Sequence, residues 1–308
     1  MPAIEVDHVS YTYGRVEALH DVTFSVPEGA LYALLGPNGS GKTTLLQILL
    51  GVRRVRAGSA SLLGSDSRAL TVAQRRRIAY VSEGLSLPRW MTLEQLEAYV
   101  APLYPTWDRS LAMQLQGRFA LDPTRRIGTL SRGERMKAAV LCALAPRPKV
   151  LLMDEPFTGM DAVVKDDLVR GLLESAGSEG WTVLIASHDI GELELLADWV
   201  GFLQGGRMRL SEPMDGIRER FKRVTIIGGG SVMDHQSVDA SWLGVERAGR
   251  RLTFLTARAT DDRNGTAAEL RRRFADADQI EIEDASLREI FVALARSAAL
   301  VISQEVAA

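Results

Sequence analysis

The chain has 308 residues, of which 46% are hydrophobic and 25% are charged, and its formal net charge is −2. A composition this apolar excludes a largely disordered chain, and the length suffices for about two domains, one of them with a sizeable core. The near-zero charge gives no indication of a basic surface for nucleic acid. These totals favour an ordinary globular protein.

A single cysteine, Cys142, lies in the apolar run 138–145, so no internal disulfide can form. We predict that Cys142 is a buried small hydrophobic residue in a protein of the reducing cytosol. No stretch approaches the roughly 18 uninterrupted apolar residues of a membrane-spanning helix, and the first residues do not begin a signal peptide. If the protein works at a membrane, we expect another chain to supply the span.

The first part of the chain is predicted to form strands. Apolar residues recur with strand-like spacing over 4–9 and alternate strictly with polar residues over 22–26. Tyr13 ends a strand, where an aromatic side chain usually packs on its neighbours. The continuous apolar run 30–35 is typical of a buried parallel strand.

A glycine-rich sequence joins that buried strand to a helix, which apolar residues indicate over 45–50. The joining sequence fits G-x-x-x-x-G-K-[ST], a loop whose backbone N–H groups converge on phosphate at a helix N-terminus. A turn that binds nothing is the alternative, which the correct strand and helix flanks disfavour. We predict a nucleoside triphosphate site formed by Gly36, Pro37, Asn38, Gly39, Ser40, Gly41, Lys42, Thr43 and Thr44.

From about residue 83 to 145 the pattern becomes helical. Thr92 and Gln95 have the spacing of a capping box, and Ser131 and Glu134 repeat it. The helix that begins at Ser131 should present an anion-binding N-terminus, because its dipole and unpaired N–H groups favour negative charge.

Two further buried strands end in polar side chains. The run 150–153 leads into Asp154 and Glu155, and the run 181–186 precedes His188. Open α/β sheets bind ligands at the carboxyl ends of their strands. We therefore predict that these side chains face the triphosphate, with a solvated strand end and a structural histidine as the alternatives.

With these segments in this order, the chain resembles the ATP-binding subunits of ABC transporters from residue 3 to about 215. The resemblance implies an α/β P-loop NTPase fold of the ABC ATPase type, with a mixed central sheet, an antiparallel β subdomain and a helical subdomain. The matching segments are Walker A at 36–44, the signature at 130–134, Walker B at 150–154 and the D-loop at 157–161. Within the signature, Arg132 replaces a glycine and Glu134 replaces the glutamine of the family pattern.

The resemblance assigns domains as well as motifs. Residues 1–220 would form the ABC ATP-binding domain, with the helical subdomain at about 84–145. The glycine run 228–230 is the plainest composition break, and we predict a small C-terminal α+β domain at 221–308 in which no chemistry is recognisable.

The same resemblance implies ATP and Mg²⁺ as cofactors. Asp154 and Thr43 would bind the metal, and Glu155 would be the general base that deprotonates the attacking water. Lys42 and His188 would contact the phosphates and belong to the catalytic set.

Further roles follow from the resemblance. Tyr13 would stack on adenine, contrary to the packing role that its strand position alone suggests. Ser131, Gly133 and Asp161 would bind nucleotide in a head-to-tail dimer, where the signature of one subunit caps the γ-phosphate held by the other. Glu83 replaces the usual glutamine of the Q-loop, and we predict that it is catalytic and approaches the metal.

The partners implied are a second ATP-binding subunit, in a homo- or heterodimer, and a multi-span membrane permease, with the protein peripheral at the cytoplasmic face of the cell membrane. The permease would dock on the segment 83–107, whose aromatic residues have core packing as their alternative role. The segments 145–149 and 286–291, together with the signature and Glu83, are most similar to those of ATPases paired with ABC-2-type export permeases.

Two other functions are alternatives to transport. A soluble ABC-type ATPase acting on nucleic acid or ribosomes would have two cassettes or an inserted coiled coil, and the chain has neither feature. A regulator that binds nucleotide without turnover conflicts with the presence of Lys42, Asp154, Glu155 and His188. No nucleic acid partner is expected.

Overall fold

The chain divides into two compact units, Met1–Ser211 and Glu212–Ala308. The structure is a computed structural model, and the residues that it describes are 2–194, 196–228, 239, 241–257 and 263–305.

An antiparallel sheet contains the first strands of the first unit. Its order is β2-β1-β4-β5, with β1 (Pro2–Tyr13), β2 (Val16–Pro27), β4 (Ala57–Leu62) and β5 (Ser65–Asp66). Val6 lies opposite Phe24, and Ile4 lies opposite Val26, so buried apolar pairs cross the strands on one face. The strands predicted from the alternating pattern are confirmed.

The central sheet has six strands. They are β3 (Leu31–Leu35), β6 (Ile78–Ser82), β7 (Val150–Asp154), β8 (Thr182–Ser187), β9 (Trp199–Gln204) and β10 (Arg207–Pro213), in the order β10-β9-β3-β8-β7-β6. Strands β3, β7 and β8 are buried along their whole length, which explains their continuous apolar sequences. The predicted mixed sheet, accompanied by an antiparallel sheet, is confirmed.

The parallel register places several chain segments at one edge of this sheet. Leu35 pairs with Ser187, and Ser82 pairs with Asp154, so the carboxyl ends of β3, β6, β7 and β8 are aligned. The chain leaves these ends through Gly36, Glu83, Glu155 and His188, respectively.

The helices of the first unit are α1 (Lys42–Leu49), α2 (Val72–Arg75), α3 (Leu93–Val100), α4 (Arg109–Arg118), α5 (Arg132–Leu144), α6 (Ala162–Glu179) and α7 (Ile190–Leu193). Both predicted capping boxes are present. Thr92 accepts a hydrogen bond from the Gln95 N–H at 3.2 Å, and Ser131 accepts one from the Glu134 N–H at 3.1 Å. These caps fix where α3 and α5 begin.

The second unit contains a four-stranded antiparallel sheet of order β12-β13-β11-β14. Its elements are α8 (Met214–Arg220), β11 (Lys222–Gly228), β12 (Leu243–Ala248), β13 (Arg251–Thr256), α9 (Arg263–Arg273), β14 (Ala277–Asp284) and α10 (Leu287–Glu305). A core of Val224, Ile226, Leu252, Phe254, Leu270 and Phe274 lies between this sheet and α9.

The boundary predicted after residue 220 differs from the division of the structure. Helix α8 belongs to the second unit, which begins at Glu212. The glycine run at 228–230 is not the boundary between the two units either. Gly228 ends β11, a strand that pairs with β13 on one side and with β14 on the other. Gly229 and Gly230 lie outside the described residues.

Cys142 is partly rather than fully buried, and burial raises the pKa of its thiol to about 12. The thiol therefore stays protonated at neutral pH, as expected for a hydrophobic packing role.

Among the helices that the structure describes, none combines the length and the apolar character needed to cross a bilayer.

We predict that a chain ended after Ser211 folds and unfolds in one cooperative thermal transition, because the first unit has its own core. A chain ended after Lys222 should gain little stability, since only Glu212 and Pro213 of its additional residues belong to a strand of the central sheet. Near-ultraviolet circular dichroism on heating measures both. An insoluble or non-cooperative 1–211 fragment would show that the two units share a core.

Candidate active site

The loop between β3 and α1 is built on glycines that no other residue could replace. A Cβ on Gly36 would lie 2.1 Å from the Leu203 carbonyl oxygen, and one on Gly41 would lie 2.6 Å from that of Ala18. Gly41 also has a φ of 108°, a conformation in which residues with a Cβ are strained. The loop therefore curls tightly at the start of α1.

Lys42 is the centre of this loop and is 6% exposed. Its ammonium group donates to the carbonyl oxygens of Gly36 at 2.7 Å and Pro37 at 3.2 Å. It also lies 3.3 Å from Oε1 of Glu155. The loop holds a buried positive charge at the edge of the sheet, where an anion would bind.

Glu155 and His188 meet beside that charge. Oε2 of Glu155 lies 2.8 Å from Nδ1 of His188, and the Glu155 side chain is 17% exposed. The backbone of Glu155 has a φ of 50°, an uncommon conformation for this residue type, and its N–H donates to the Ala186 carbonyl at 2.9 Å. The structure thus brings together Lys42, Glu155 and His188, three of the residues predicted to be catalytic.

Asp154 ends β7 and is 6% exposed. Burial raises the pKa of its carboxyl, and the charge of Glu155 acts in the same direction, whereas hydrogen bonding with Thr43, the charge of Lys42 and hydrogen bonding with Tyr80 oppose it. Its Oδ1 is buried without a hydrogen-bond partner in the described residues. A buried carboxylate oxygen without a partner is costly unless a cation binds it.

These oxygens fit Mg²⁺. The described residues contain no cluster of three or more acidic, histidine or cysteine side chains that could enclose a metal. Mg²⁺ is usually bound by one or two carboxylates together with water and substrate phosphates, so the Asp154 carboxylate and the Thr43 hydroxyl suffice as protein ligands. The structure supports these two residues as metal-ligand candidates.

Tyr13 stands beside α1. Its hydroxyl is 3.1 Å from Oγ1 of Thr44, and the Arg53 guanidinium lies 4.6 Å from the centre of its ring. Arg53 in turn donates to Gln47 and to the hydroxyl of Tyr11. Arg53 covers one face of the Tyr13 ring, a cation–π contact that no pattern in the sequence indicates. Adenine stacking on Tyr13 stays a prediction.

The signature residues Ser131 and Gly133 and the D-loop residue Asp161 have structural roles within this chain. Ser131 caps α5, and Asp161 accepts from the N–H of Val164 at 3.0 Å at the start of α6. A Cβ on Gly133 would lie 2.5 Å from Cγ1 of Val164, so glycine allows α5 and α6 to approach closely. The predicted contacts of Ser131, Gly133 and Asp161 with nucleotide stay predictions.

Glu83 lies at the same sheet edge, but its carboxylate contacts the Arg132 guanidinium. The metal role predicted for Glu83 is therefore not the contact observed in this structure, and it stays a prediction. The sequence identified Arg132 only as a departure from the signature. Its pairing with Glu83 joins segments far apart in the chain, so no local pattern could reveal it.

We predict that Asp154→Asn stabilises the nucleotide-free protein at about pH 7. The raised pKa means that ionised Asp154 costs stability above its folded-state pKa, and the advantage of Asn should vanish at acidic pH, where Asp154 is protonated. Thermal unfolding across pH measures this effect, with the exposed Asp7→Asn as control. ATP with Mg²⁺ should then stabilise the wild type more than the variant. A lower melting temperature for nucleotide-free Asp154→Asn would contradict the argument.

Residues 19–158 match the family model described as ABC transporter. The sulfate/thiosulfate import ATP-binding protein of Yersinia pseudotuberculosis is 33% identical over 234 residues, which are 73% of this chain and 64% of the relative. That of Xanthomonas campestris is 36% identical over 218 residues, covering 67% of this chain and 62% of the relative. The chain spans less than two thirds of the length of these relatives.

A solved structure of the ATP-binding subunit of an ABC transporter superposes with a TM-score of 0.64 at 28% identity, covering 70% of this chain and 92% of that one. The resemblance found in the motifs and the predicted fold class are confirmed. The chain therefore contains an ATP-binding domain of the ABC transporter family, a family of ATPases that bind ATP with Mg²⁺.

Proposed function

We propose that this chain is the ATP-hydrolysing subunit of a transporter, acting at the cytoplasmic face of a membrane and driving a separate permease. The observation that carries the proposal is the position of Glu155. One of its carboxylate oxygens lies 3.3 Å from the Lys42 ammonium, and the other lies 2.8 Å from His188. A carboxylate, an ammonium group and an imidazole thus lie together at the carboxyl ends of the central strands, which supports a base and a phosphate-binding cation at this site.

Each side chain has a task that follows from its contacts. The Lys42 ammonium, fixed by two carbonyl oxygens, provides a positive charge for the phosphates. Oε2 of Glu155 is held by His188, whereas Oε1 is buried without a hydrogen-bond partner in the described residues. Oε1 lies 3.3 Å from the Lys42 ammonium, so Glu155 would be free to take a proton from water once the phosphates have taken its place beside Lys42. Mg²⁺, held by Asp154 and Thr43, would neutralise charge that develops on the phosphates.

The active unit that we propose is a head-to-tail dimer, formed with a second copy or a related subunit. Ser131 is exposed at the N-terminus of α5, and Asp161 is exposed at the start of α6. Both lie where they could face a nucleotide held by the other subunit, as the ABC resemblance implies. Closure of this dimer on ATP and its opening after hydrolysis would provide the motion.

We predict that Lys42→Ala abolishes ATP binding and that Glu155→Gln retains binding but lowers turnover by roughly 10²–10⁴-fold, the range for loss of a general base. Nucleotide binding and steady-state ATPase assays measure the two effects. Glu28→Gln, on an exposed turn, is the matched control. Wild-type turnover by Glu155→Gln would remove Glu155 from the role of base.

A groove in the first unit supports a membrane partner. It has a volume of about 180 Å³ and is lined by Leu85, Leu87, Val100, Tyr104 and Ala139, among others. Three large apolar side chains near it in the chain are strongly exposed, Trp90 at 71%, Tyr99 at 63% and Leu103 at 54%. Exposed apolar surface of this kind marks interaction sites. We propose that a cytoplasmic helix of the permease docks on this surface.

The exposed fractions of the side chains also test whether the aromatic residues of the segment 83–107 pack in the core. Trp90 and Tyr99 are exposed, which disfavours core packing for both, whereas Tyr104 is half-buried in the groove wall.

Export was the direction predicted from segments 145–149 and 286–291, and the relatives, which are named as import subunits, do not support it. Uptake or release of substrate by vesicles containing both proteins would decide the direction.

We predict that Tyr99→Glu prevents co-purification with a multi-span membrane protein from detergent-solubilised membranes, because a charge at the docking surface opposes apolar burial. Val72→Glu is the matched control, since Val72 is 67% exposed and lies on α2. The measurement is identification of the captured membrane protein with each variant. Equal capture by Tyr99→Glu and the wild type would place the permease elsewhere.

A further inference from the structure

Two of the charged departures of this chain from the ABC motifs, Glu83 and Arg132, contact each other. Glu83 stands where the Q-loop usually has glutamine, and Arg132 stands where the signature usually has glycine. Nη2 of Arg132 donates to Oε1 of Glu83, although the residues are 49 positions apart. The pair connects the segment after β6 to the first residue of α5.

Glu83 is anchored beside the proposed metal ligand. Its backbone N–H donates to the carbonyl oxygen of Asp154 at 3.1 Å. The preceding residue, Ser82, pairs with Asp154 in the sheet. The Glu83 carboxylate therefore lies at the sheet edge that would receive an anionic triphosphate, where an additional negative charge is unfavourable.

Arg132 reaches a third segment. A Cβ on Gly159 would lie 2.5 Å from Nη1 and 2.9 Å from Cζ of Arg132, so the guanidinium packs against the loop after Glu155. One side chain thus contacts the segments of Glu83 and Gly159 while it is carried by α5. The absence of a side chain at Gly159 is what makes room for it.

The ion pair is too exposed to be explained by folding stability. The Arg132 and Glu83 side chains are 45% and 43% exposed, and ion pairs with this much water access contribute little to stability. What the pair can do is fix the directions of two side chains and cancel the charge of Glu83. Its effect should therefore appear in catalysis more than in unfolding.

We propose that Arg132 is a positioning residue for ATP hydrolysis, which neutralises Glu83 and holds the segments of Glu83, Gly159 and α5 in one arrangement. This inference rests on the proposed ATPase function. A cleft of about 170 Å³ beside the pair shares Leu85 and Ala139 with the groove proposed for the permease. The pair thus lies between the proposed docking surface and the nucleotide edge.

We expect different kinetic effects when the charge of Arg132 and the charge of Glu83 are removed one at a time. Arg132→Gln leaves the Glu83 carboxylate uncompensated beside the phosphates, so KM for ATP should rise and kcat should fall. Glu83→Gln removes the negative charge, so kcat should fall without a rise in KM. We expect kcat losses of about threefold to tenfold, within the range for coupled neighbouring side chains.

The test is a double-mutant cycle on the full chain, with MgATP as substrate. The combination of Glu83→Gln with Arg132→Gln should recover kcat to within about twofold of wild type, because two amides can bond without charge. Arg132→Lys should rescue KM more than kcat, since it restores the charge but not the guanidinium shape. The difference in KM between Arg132→Gln and the wild type should shrink at about 1 M salt, because the Debye length is then only about 3 Å.

A matched exposed pair provides the control. Asp166 and Arg170 form an ion pair on α6 with exposed fractions of 56% and 70%, so neutralising it should leave kcat and KM unchanged. Melting temperatures of all variants should lie within about 3 °C of wild type. Losses that multiply in the double variant, or an Arg132→Gln variant with wild-type kinetics, would overturn the proposal.

The outcomes separate this inference from the function beneath it. If the wild type neither binds nor hydrolyses MgATP, the proposed function fails. If the wild type is active, Lys42→Ala is inactive and the cycle is additive, only the role of Arg132 fails. If a single variant is misfolded, Arg132→Lys supplies the same comparison of KM with kcat.

Discussion

The burial of Lys42 is the constraint on which the site depends. An ammonium group that is almost inaccessible to water must be compensated, and here two carbonyl oxygens of its own loop and the Glu155 carboxylate do so. The carbonyls reach Lys42 because the loop turns sharply at Gly36 and Gly41, where backbone from other segments leaves no room for a Cβ. The position of the charge is therefore set by backbone packing.

The site is arranged for binding at the expense of the nucleotide-free fold. Asp154 has a buried oxygen without a partner in the part of the chain that the structure describes, and Glu155 is held in a left-handed backbone conformation. Both features cost free energy, of order 1–3 kcal/mol each. A cation bound together with the phosphates would supply the partner that the buried Asp154 oxygen lacks. Such preorganisation is common where charge must be stabilised during a reaction.

The sequence was sufficient to predict the central features of the fold and the site. Continuous apolar runs predicted the buried strands, and the spacing of Thr92 and Ser131 to their partners predicted where two helices begin. Asp154, Glu155 and His188 could be placed together because strand ends meet at one edge. The limits appear at contacts between distant segments. Arg53 against Tyr13 and Arg132 against Glu83 depend on tertiary geometry. Strand β11 was not predicted, because the glycine run 228–230 at its end was interpreted as a break in composition.

The close approach of α5 and α6 has a mechanical consequence. Gly133 allows the helices to touch at Val164, and the buried ammonium of Lys137 bonds to Asp167 at 2.9 Å further along. Two such contacts along the helices prevent α5 from sliding or rotating on α6, since closely packed surfaces do not deform continuously. Any displacement of α5 would carry the start of α6 with it. The signature, at the start of α5, and the D-loop, before α6, would therefore move together as one rigid body.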